Sequence, residues 1–595
     1  MRYPNIYSLF RERVEQYRDR DAFYVRQNDQ WVGISWDRFS QEAHEFAYAL
    51  IAMGLEKGTS VCILMNNVPE WPISDLGTII AGGVSVGLYP TSSAEQCRYI
   101  INHSDAEFVL VDTQLQLDKI LRVRKDLPKV KAIIALDETT AHSHPGVMSY
   151  KDFLKFGREH HERAHPILQE RAENAQPEDI AIMVYTSGTT GLPKGACLSH
   201  RYVIKSVESL LETIPIYDSD ISFSYLPYCH VAERISGLYN RLYAGAPAYF
   251  VDDLTKLWDY MVEVKPTVFG SLPRFYEKLH ARIMADVEKA PPEEREQFHR
   301  VLSLGRTLSR LRQARESIPA ELKAEYEQKA GPVLSKVKGY FGGRIRITTS
   351  GGAPLPLEIQ EFFDALGVPI LQAYGLTENV CVAFNRPDNY KFGTVGPPMP
   401  GCEVKIAEDG EILVRSEMMF SGYYKEPDKT AEVIRDGWLL TGDLGELDGD
   451  GFLKIVGRKK ELIITSTGKN VAPALIENLL KEHHLISQAM AYGDGKSYLV
   501  ALITLNQRET EEYARARGIG FKDFAELTRH PEIVSLVRKI VDEVNARVSS
   551  TEAIKKFVIL DHDLSIEADE ITPTMKIKRN VVTERYHEIL EQLYE

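Results

Sequence analysis

Over its first 280 residues the chain alternates between two textures. Short apolar runs at 61–65, 108–111 and 132–136 predict buried strands, and amphipathic stretches such as 36–53 predict helices between them. Strands alternating with helices predict largely parallel sheet covered by helices, an α/β fold. Residues 286–340 break this rhythm: they are charge-rich, nearly free of β-branched runs, and predict a helical insertion. From about residue 400 short strands follow one another, with Asp-Gly turns at Asp409-Gly410, Asp436-Gly437 and Asp448-Gly449. Beyond about residue 461 a strand at 498–505 mixes with helices at 472–482 and 581–593, which predicts a small C-terminal α+β domain.

Composition narrows the function classes. The 595 residues are 44% hydrophobic and 26% charged, which excludes a mainly disordered or fibrous chain. The balance of 71 basic and 85 acidic residues, −14 overall, argues against nucleic acid as the main partner. Cysteines at 62, 97, 197, 229, 381 and 402 form no C-x-x-C pair and are too sparse for a disulfide framework, so a reducing, cytoplasmic setting is expected. No apolar signal run opens the chain, and no stretch approaches the roughly 20 apolar residues of a spanning helix. Residues 300–340 carry nine Lys/Arg and four Asp/Glu, and Val301, Leu304, Leu308 and Leu311 recur at helical spacing. That stripe is compatible with peripheral contact on the anionic inner face of a membrane, and equally with packing on the protein's own body.

The sharpest local signal is Tyr185-Thr186-Ser187-Gly188-Thr189-Thr190-Gly191-Leu192-Pro193-Lys194-Gly195, which follows a strand predicted at 180–184. Small residues expose backbone N–H groups, the hydroxyls add donors, and Lys194 adds a point charge, a concavity suited to a polyphosphate. Gly195 follows the lysine where a Walker loop has Ser or Thr, so the nucleotide loop is of another kind.

The run 186–195 resembles the phosphate loop of the adenylate-forming superfamily, whose AMP-binding enzymes include the acyl-CoA synthetases. Further motifs follow in that family's order. Ser350-Gly351-Gly352-Ala353-Pro354-Leu355 resembles its adenine-contacting turn, Tyr374-Gly375-Leu376-Thr377-Glu378 its aromatic motif, and Thr441-Gly442-Asp443 its ribose motif. Gly457-Arg458-Lys459-Lys460-Glu461 resembles its hinge, and Thr572-Pro573-Thr574-Met575-Lys576 its C-terminal lysine motif.

The resemblance implies an ATP site built from Thr186, Ser187, Gly188, Thr189, Thr190, Gly191, Lys194, Gly351, Gly352, Ala353, Pro354, Tyr374, Gly375, Thr377, Asp443 and Arg458. Tyr374 offers a flat face for adenine. Thr377 offers a hydroxyl to a phosphate or substrate oxygen, and Glu378 a hard oxygen ligand for Mg²⁺. The resemblance implies that Asp443 accepts from both ribose hydroxyls and that Arg458 reaches ribose or phosphate. It also implies that Lys576 meets the reacting carboxylate and phosphate oxygens. Lys460 falls at the hinge between a large domain, 1–459, and a small mobile one, 461–595. His230, in Leu226-Pro227-Tyr228-Cys229-His230-Val231-Ala232-Glu233-Arg234, matches a variant found in long-chain fatty acyl-CoA synthetases, which implies a place beside the acyl carboxylate.

Three features favour a long-chain fatty acid as substrate, with ATP and CoA as co-substrates: the His230 motif, the helical insertion, and the hinge running into residues 465–473. One departure concerns the CoA step. Where that subgroup often has Ala-Gly-Gly, this chain has Ser466-Thr467-Gly468, with Gly468 expected near the thiol. A fatty acyl-AMP ligase loading a carrier protein, and a silent lipid-binding paralogue, stand as alternatives. Oligomeric state is left open, a homodimer included.

Overall fold

The computed structural model describes the chain apart from residues 187–191, 467–468 and 573–574. The phosphate-loop residues Ser187, Gly188, Thr189, Thr190 and Gly191, and the expected CoA-step residue Gly468, therefore lie outside the described residues.

The apolar runs become the centre of a seven-stranded sheet. Its order is Val147–Ser149, Ala132–Ala135, Phe108–Val111, Ser60–Leu64, Val84–Gly87, Ile180–Thr186 and Lys194–Ser199. Every pair is parallel except the last. Strands 60–64, 84–87, 108–111 and 132–135 are buried along their whole length, as expected where helices cover both faces. The helix Trp36–Ala52 packs on the helices Glu70–Ile80, Tyr150–Glu159 and His161–Glu173. Ser35 caps it by accepting from the Arg38 N–H, and Phe39, Ala43, Phe46, Ala47 and Leu50 line its buried face.

Two further four-stranded mixed sheets run in the order 222–224, 248–250, 21–27, 30–35 and the order 268–271, 347–350, 370–376, 379–384. An antiparallel five-stranded sheet follows, from Cys402–Ile406 to Leu453–Arg458. Its Asp436-Gly437 turn holds both residues at positive φ, closing a tight hairpin between Arg435 and Trp438. The C-terminal part forms a three-stranded sheet of Ile486–Tyr492, Leu499–Leu505 and Ile554–Ile559 against helices such as Pro473–Lys481 and Pro531–Asn545. Its apolar clusters lie within 463–594 and share no residue with those of residues 3–455.

The helical insertion appears as Pro292–Gln313 and Ala320–Gly339, and the apolar stripe of 301–308 packs on the protein's own body. Val301, Leu304 and Leu308 are buried. Their helix lies against Leu357–Ala365, and a Cβ on Gly305 would sit 2.2 Å from the Ala365 carbonyl oxygen, so only glycine permits that approach. The basic residues face the same neighbour: Arg306 lies 3.9 Å from Glu358, Arg310 4.0 Å from Glu361, and Arg312 2.9 Å from Asp364. The stripe and much of the positive charge are thus satisfied internally. Among the described residues, no helix is long and apolar enough to cross a membrane. All six cysteines are buried free thiols.

Candidate active site

The loop read as a phosphate cradle joins two antiparallel strands. Thr186 ends one and is the register partner of Lys194, which begins the other. A Walker loop feeds a helix, so this strand-to-strand connection agrees with the missing Ser/Thr. The Lys194 ammonium lies 4.7 Å from the centre of the Tyr423 ring, a cation–π contact. The Tyr423 hydroxyl donates to Glu378 Oε1 at 2.5 Å. One tyrosine therefore connects the loop lysine with the carboxylate read as the metal ligand. The sequence reading did not single it out, although the neighbouring Ser421-Gly422-Tyr423-Tyr424 carried a turn signal in Gly422, which has φ +119°.

Thr377 and Glu378 are the two tip residues of a β-hairpin between Ile370–Leu376 and Asn379–Phe384, with Leu376 opposite Asn379. Tyr202 donates to the Thr377 carbonyl at 2.9 Å, and the Phe420 N–H donates to the Glu378 carbonyl at 2.8 Å. These bonds fix the tip. Gly375 is obligatory here, because a Cβ would lie 2.0 Å from the Val380 carbonyl oxygen. The turn Gly351-Gly352-Ala353-Pro354 leaves the end of strand Ile347–Ser350, which neighbours the hairpin in the same sheet. Gly352, Ala353 and Pro354 are exposed.

Asp443 sits at 5% exposure on a bulge of Trp438–Leu447 and takes part in one hydrogen bond and one ion pair. The Tyr374 hydroxyl donates to Oδ2 at 2.6 Å, and Arg458 Nε lies 3.1 Å from Oδ1. The ribose carboxylate and adenine platform expected from the sequence are therefore one hydrogen-bonded group. Each carboxylate oxygen keeps a further lone pair for another donor.

His230 is half-buried at the entrance to an eight-residue π-helix, Ala232–Tyr239. Its Nδ1 accepts from the Ala232 N–H at 3.1 Å, which leaves the proton of the neutral ring on Nε2. Burial first, and the Lys576 charge second, lower its pKa to about 4. At neutral pH the ring is therefore an uncharged N–H donor. Glu233 and Arg234 of the same motif turn away from this point into buried ion pairs, Glu233 with Arg241 at 2.7 Å and Arg234 with Asp75. They anchor the π-helix.

Lys576 comes from the C-terminal part. The Thr572 N–H donates to the Lys576 carbonyl at 2.8 Å, and Met575 takes φ +62°. As a residue Lys576 is exposed, yet protein crowds its ammonium. That crowding, then Arg458, push its pKa below the ordinary lysine value, while Asp443 and Glu461 oppose the shift. Its neighbours are committed elsewhere. Lys578 pairs with Asp569, and Arg579 donates to Glu477 and to the Ala491 carbonyl. Lys576 is the cation of this run whose charge bears on His230, Arg458 and Asp443. Lys460 lies exposed in the short 3₁₀ turn Lys459–Glu461 that leads to the C-terminal part.

Comparison with known proteins places this arrangement. A family described as AMP-binding enzyme matches residues 10–424, and one described as AMP-binding enzyme C-terminal domain matches 460–595. The chain is 34% identical to the long-chain-fatty-acid–CoA ligase ACSBG1 of Mus musculus, over 99% of this chain and 85% of that protein. It is 32% identical to the long-chain-fatty-acid–CoA ligase FadD15 of Mycobacterium tuberculosis, over 95% and 92%. Among solved structures, the anthranilate CoA ligase AuaEII with anthranoyl-AMP superposes with a TM-score of 0.74 at 20% identity, covering 99% of this chain and 98% of that one. ATP-bound MatB of Rhodopseudomonas palustris gives 0.68 at 22% identity, covering 98% and 100%. These two show the fold alone.

Proposed function

The chain belongs to the AMP-binding enzyme family, and on that premise we propose that it is an ATP-dependent, AMP-forming long-chain fatty acid–CoA ligase. The observation that carries the reading is the Asp443 group, in which Tyr374 donates to Oδ2 and Arg458 pairs with Oδ1, with the Lys576 charge acting on His230 and Arg458 beside it. In the first half-reaction a fatty carboxylate oxygen attacks the α-phosphorus of ATP. The bond to pyrophosphate breaks, and acyl-AMP forms. Tyr374, Asp443 and Arg458 hold the nucleoside, and Lys194 serves the phosphates. The Lys576 ammonium and the His230 Nε2–H face the carboxylate and α-phosphate oxygens as negative charge redistributes. Rate enhancement comes from positioning and charge stabilisation. In the second half-reaction the CoA sulfur attacks the acyl carbon, AMP leaves, and the thiol proton passes to solvent. A swing of the C-terminal domain about Lys460 exchanges Lys576 for the 466–468 loop between the two steps.

Glu378 fits a Mg²⁺ ligand. Its Oε1 is held by Tyr423, while Oε2 has no hydrogen-bond partner among the described residues and the Thr377 hydroxyl lies on the same hairpin tip. Such an ion combines one or two carboxylates with phosphate oxygens. When bound, the ion would neutralise phosphate charge.

The test is acid-dependent pyrophosphate release over acids from acetate to C18 and benzoate, with thioester measured when CoA is present. Saturated C12–C18 acids should give the highest kcat/KM, because each buried CH₂ contributes about 0.8 kcal/mol until the pocket is full. A maximum at acetate or benzoate would overturn the substrate class. Acyl-AMP that accumulates with CoA present would point to a carrier-protein acceptor. No release with any acid would leave a silent paralogue.

A further inference from the structure

We propose that Glu411 is a positioning residue that locks the nucleotide turn and the near side of the hinge into one rigid unit, so that domain rotation begins at Lys460. The inference rests on the two-step ligase reading above. Glu411 opens the strand Glu411–Ser416, beside Trp438–Leu447, and its side chain is 7% exposed. The ladder between these strands is interrupted where Thr441-Gly442-Asp443 bulges out. That bulge takes the Gly442 N–H out of the strand ladder. Glu411 Oε1 accepts from that N–H at 2.9 Å, and Glu411 Oε2 accepts from the Lys459 ammonium at 2.9 Å. Asp409 Oδ2 takes the same ammonium at 2.5 Å, and Asp409 Oδ1 accepts from the Glu411 N–H at 3.1 Å.

Arg458 and Lys459 are consecutive residues on the way out of the large domain. Arg458 pairs with Asp443 on one side of the nucleotide turn, and Lys459 reaches Glu411 on the other. Moving the backbone at either residue therefore breaks a charge-assisted contact to the nucleotide turn. Lys460 makes no hydrogen bond or ion pair among the described residues and is exposed. It is the first position at which the chain can rotate without disturbing Asp443. The consequence is a fixed pivot: the nucleotide site keeps its geometry while the C-terminal domain exchanges its working faces.

The test uses the full-length chain and two separate assays: pyrophosphate release from ATP and fatty acid, and thioester formation from synthetic acyl-AMP and CoA. Lys459 is largely exposed, so K459M should melt close to wild type. Losing one charged hydrogen-bonding partner should slow thioester formation about tenfold and pyrophosphate release much less. E411Q keeps a carbonyl oxygen for Gly442 and weakens only the lysine contact. It should leave KM for ATP unchanged and slow the thioester step in the same direction. E411A should add a rise of about tenfold in KM for ATP. The double variant K459M/E411Q should be no slower in the thioester step than K459M, because both substitutions break one link. If K459M slows both steps equally or neither, or if the two effects multiply, the proposal is overturned. If wild type forms no acyl-AMP from ATP and any fatty acid, the ligase reading itself fails instead.

Discussion

The Tyr374 hydroxyl donates to Asp443 Oδ2 at 2.6 Å, binding two motifs separated by 69 positions into one nucleoside holder. Tyr374→Phe keeps the ring and removes this bond. Hydrogen bonds to charged acceptors contribute about 1.5–3 kcal/mol, so KM for ATP should rise at least about tenfold. KM for the fatty acid should not change. Steady-state kinetics with each substrate varied in turn checks this, and equal rises in both constants would mean that the ring also orders the acid.

Lys576→Ala should disable the first half-reaction and spare the second. Removing one preorganised donor of this kind costs about 2.7–4 kcal/mol, about 10²–10³ in rate. The variant fed synthetic acyl-AMP and CoA should still form thioester near the wild-type rate. A melting curve separates this outcome from a structural role, since a destabilised protein would lose both steps together.

Acidification should cost stability before it alters His230. Burial lowers the pKa of His200, and of His483, to about 4, and burial with Lys576 does the same to His230. The unfolded rings titrate near 6.5. Between about pH 6.5 and 4 the unfolded chain therefore binds protons that the folded chain does not, and stability falls as pH is lowered. Each ring contributes at most about 1.4 kcal/mol per pH unit in that window. Tm measured from pH 7 to 4.5 should drop, and His200→Asn should flatten the drop. Adenylation measured over the same range should show no titration of His230 until about pH 4.

Charge reversal on the helix Pro292–Gln313 should report packing rather than lipid. Asp364 is 4% exposed and accepts from Ser309, Tyr390 and Arg312. Arg312→Glu places a like charge beside it and should cost about 2 kcal/mol or more, read as a lower Tm. Arg310→Glu, whose partner lies 4.0 Å away at the surface, should change Tm little. Sedimentation with anionic vesicles should be the same for both variants and wild type. Reduced binding by Arg310→Glu would support the membrane reading.

The sequence made the elements with one unambiguous period legible. The runs at 108–111 and 132–136 fall on strands, and the helix expected at 36–53 ends one residue earlier. Where tertiary contacts decide, local pattern could not. The helix expected at 581–593 breaks into Arg579–Arg585 and His587–Gln592 at Tyr586, whose hydroxyl donates to Glu570 at 2.7 Å. Thr377-Glu378 forms a hairpin tip because Tyr202 and Phe420, both distant in sequence, hold its carbonyls. Lys576 could be told from Lys578 and Arg579 only by motif. In the fold it is distinguished because Asp569 and Glu477 occupy the other two. The apolar stripe on 301–311 fits membrane and core equally, and the close approach at Gly305 is what decides for core.

The buried thiols bear on chemical fidelity. An acyl-adenylate is a mixed anhydride that acylates any thiolate within reach. Burial raises the pKa of Cys62, Cys97 and Cys402 to about 12 and that of Cys197 to about 11, and it pushes Cys229 and Cys381 up as well. At physiological pH the chain thus offers its own activated product no internal sulfur nucleophile, and CoA meets no competitor from the protein that made the anhydride.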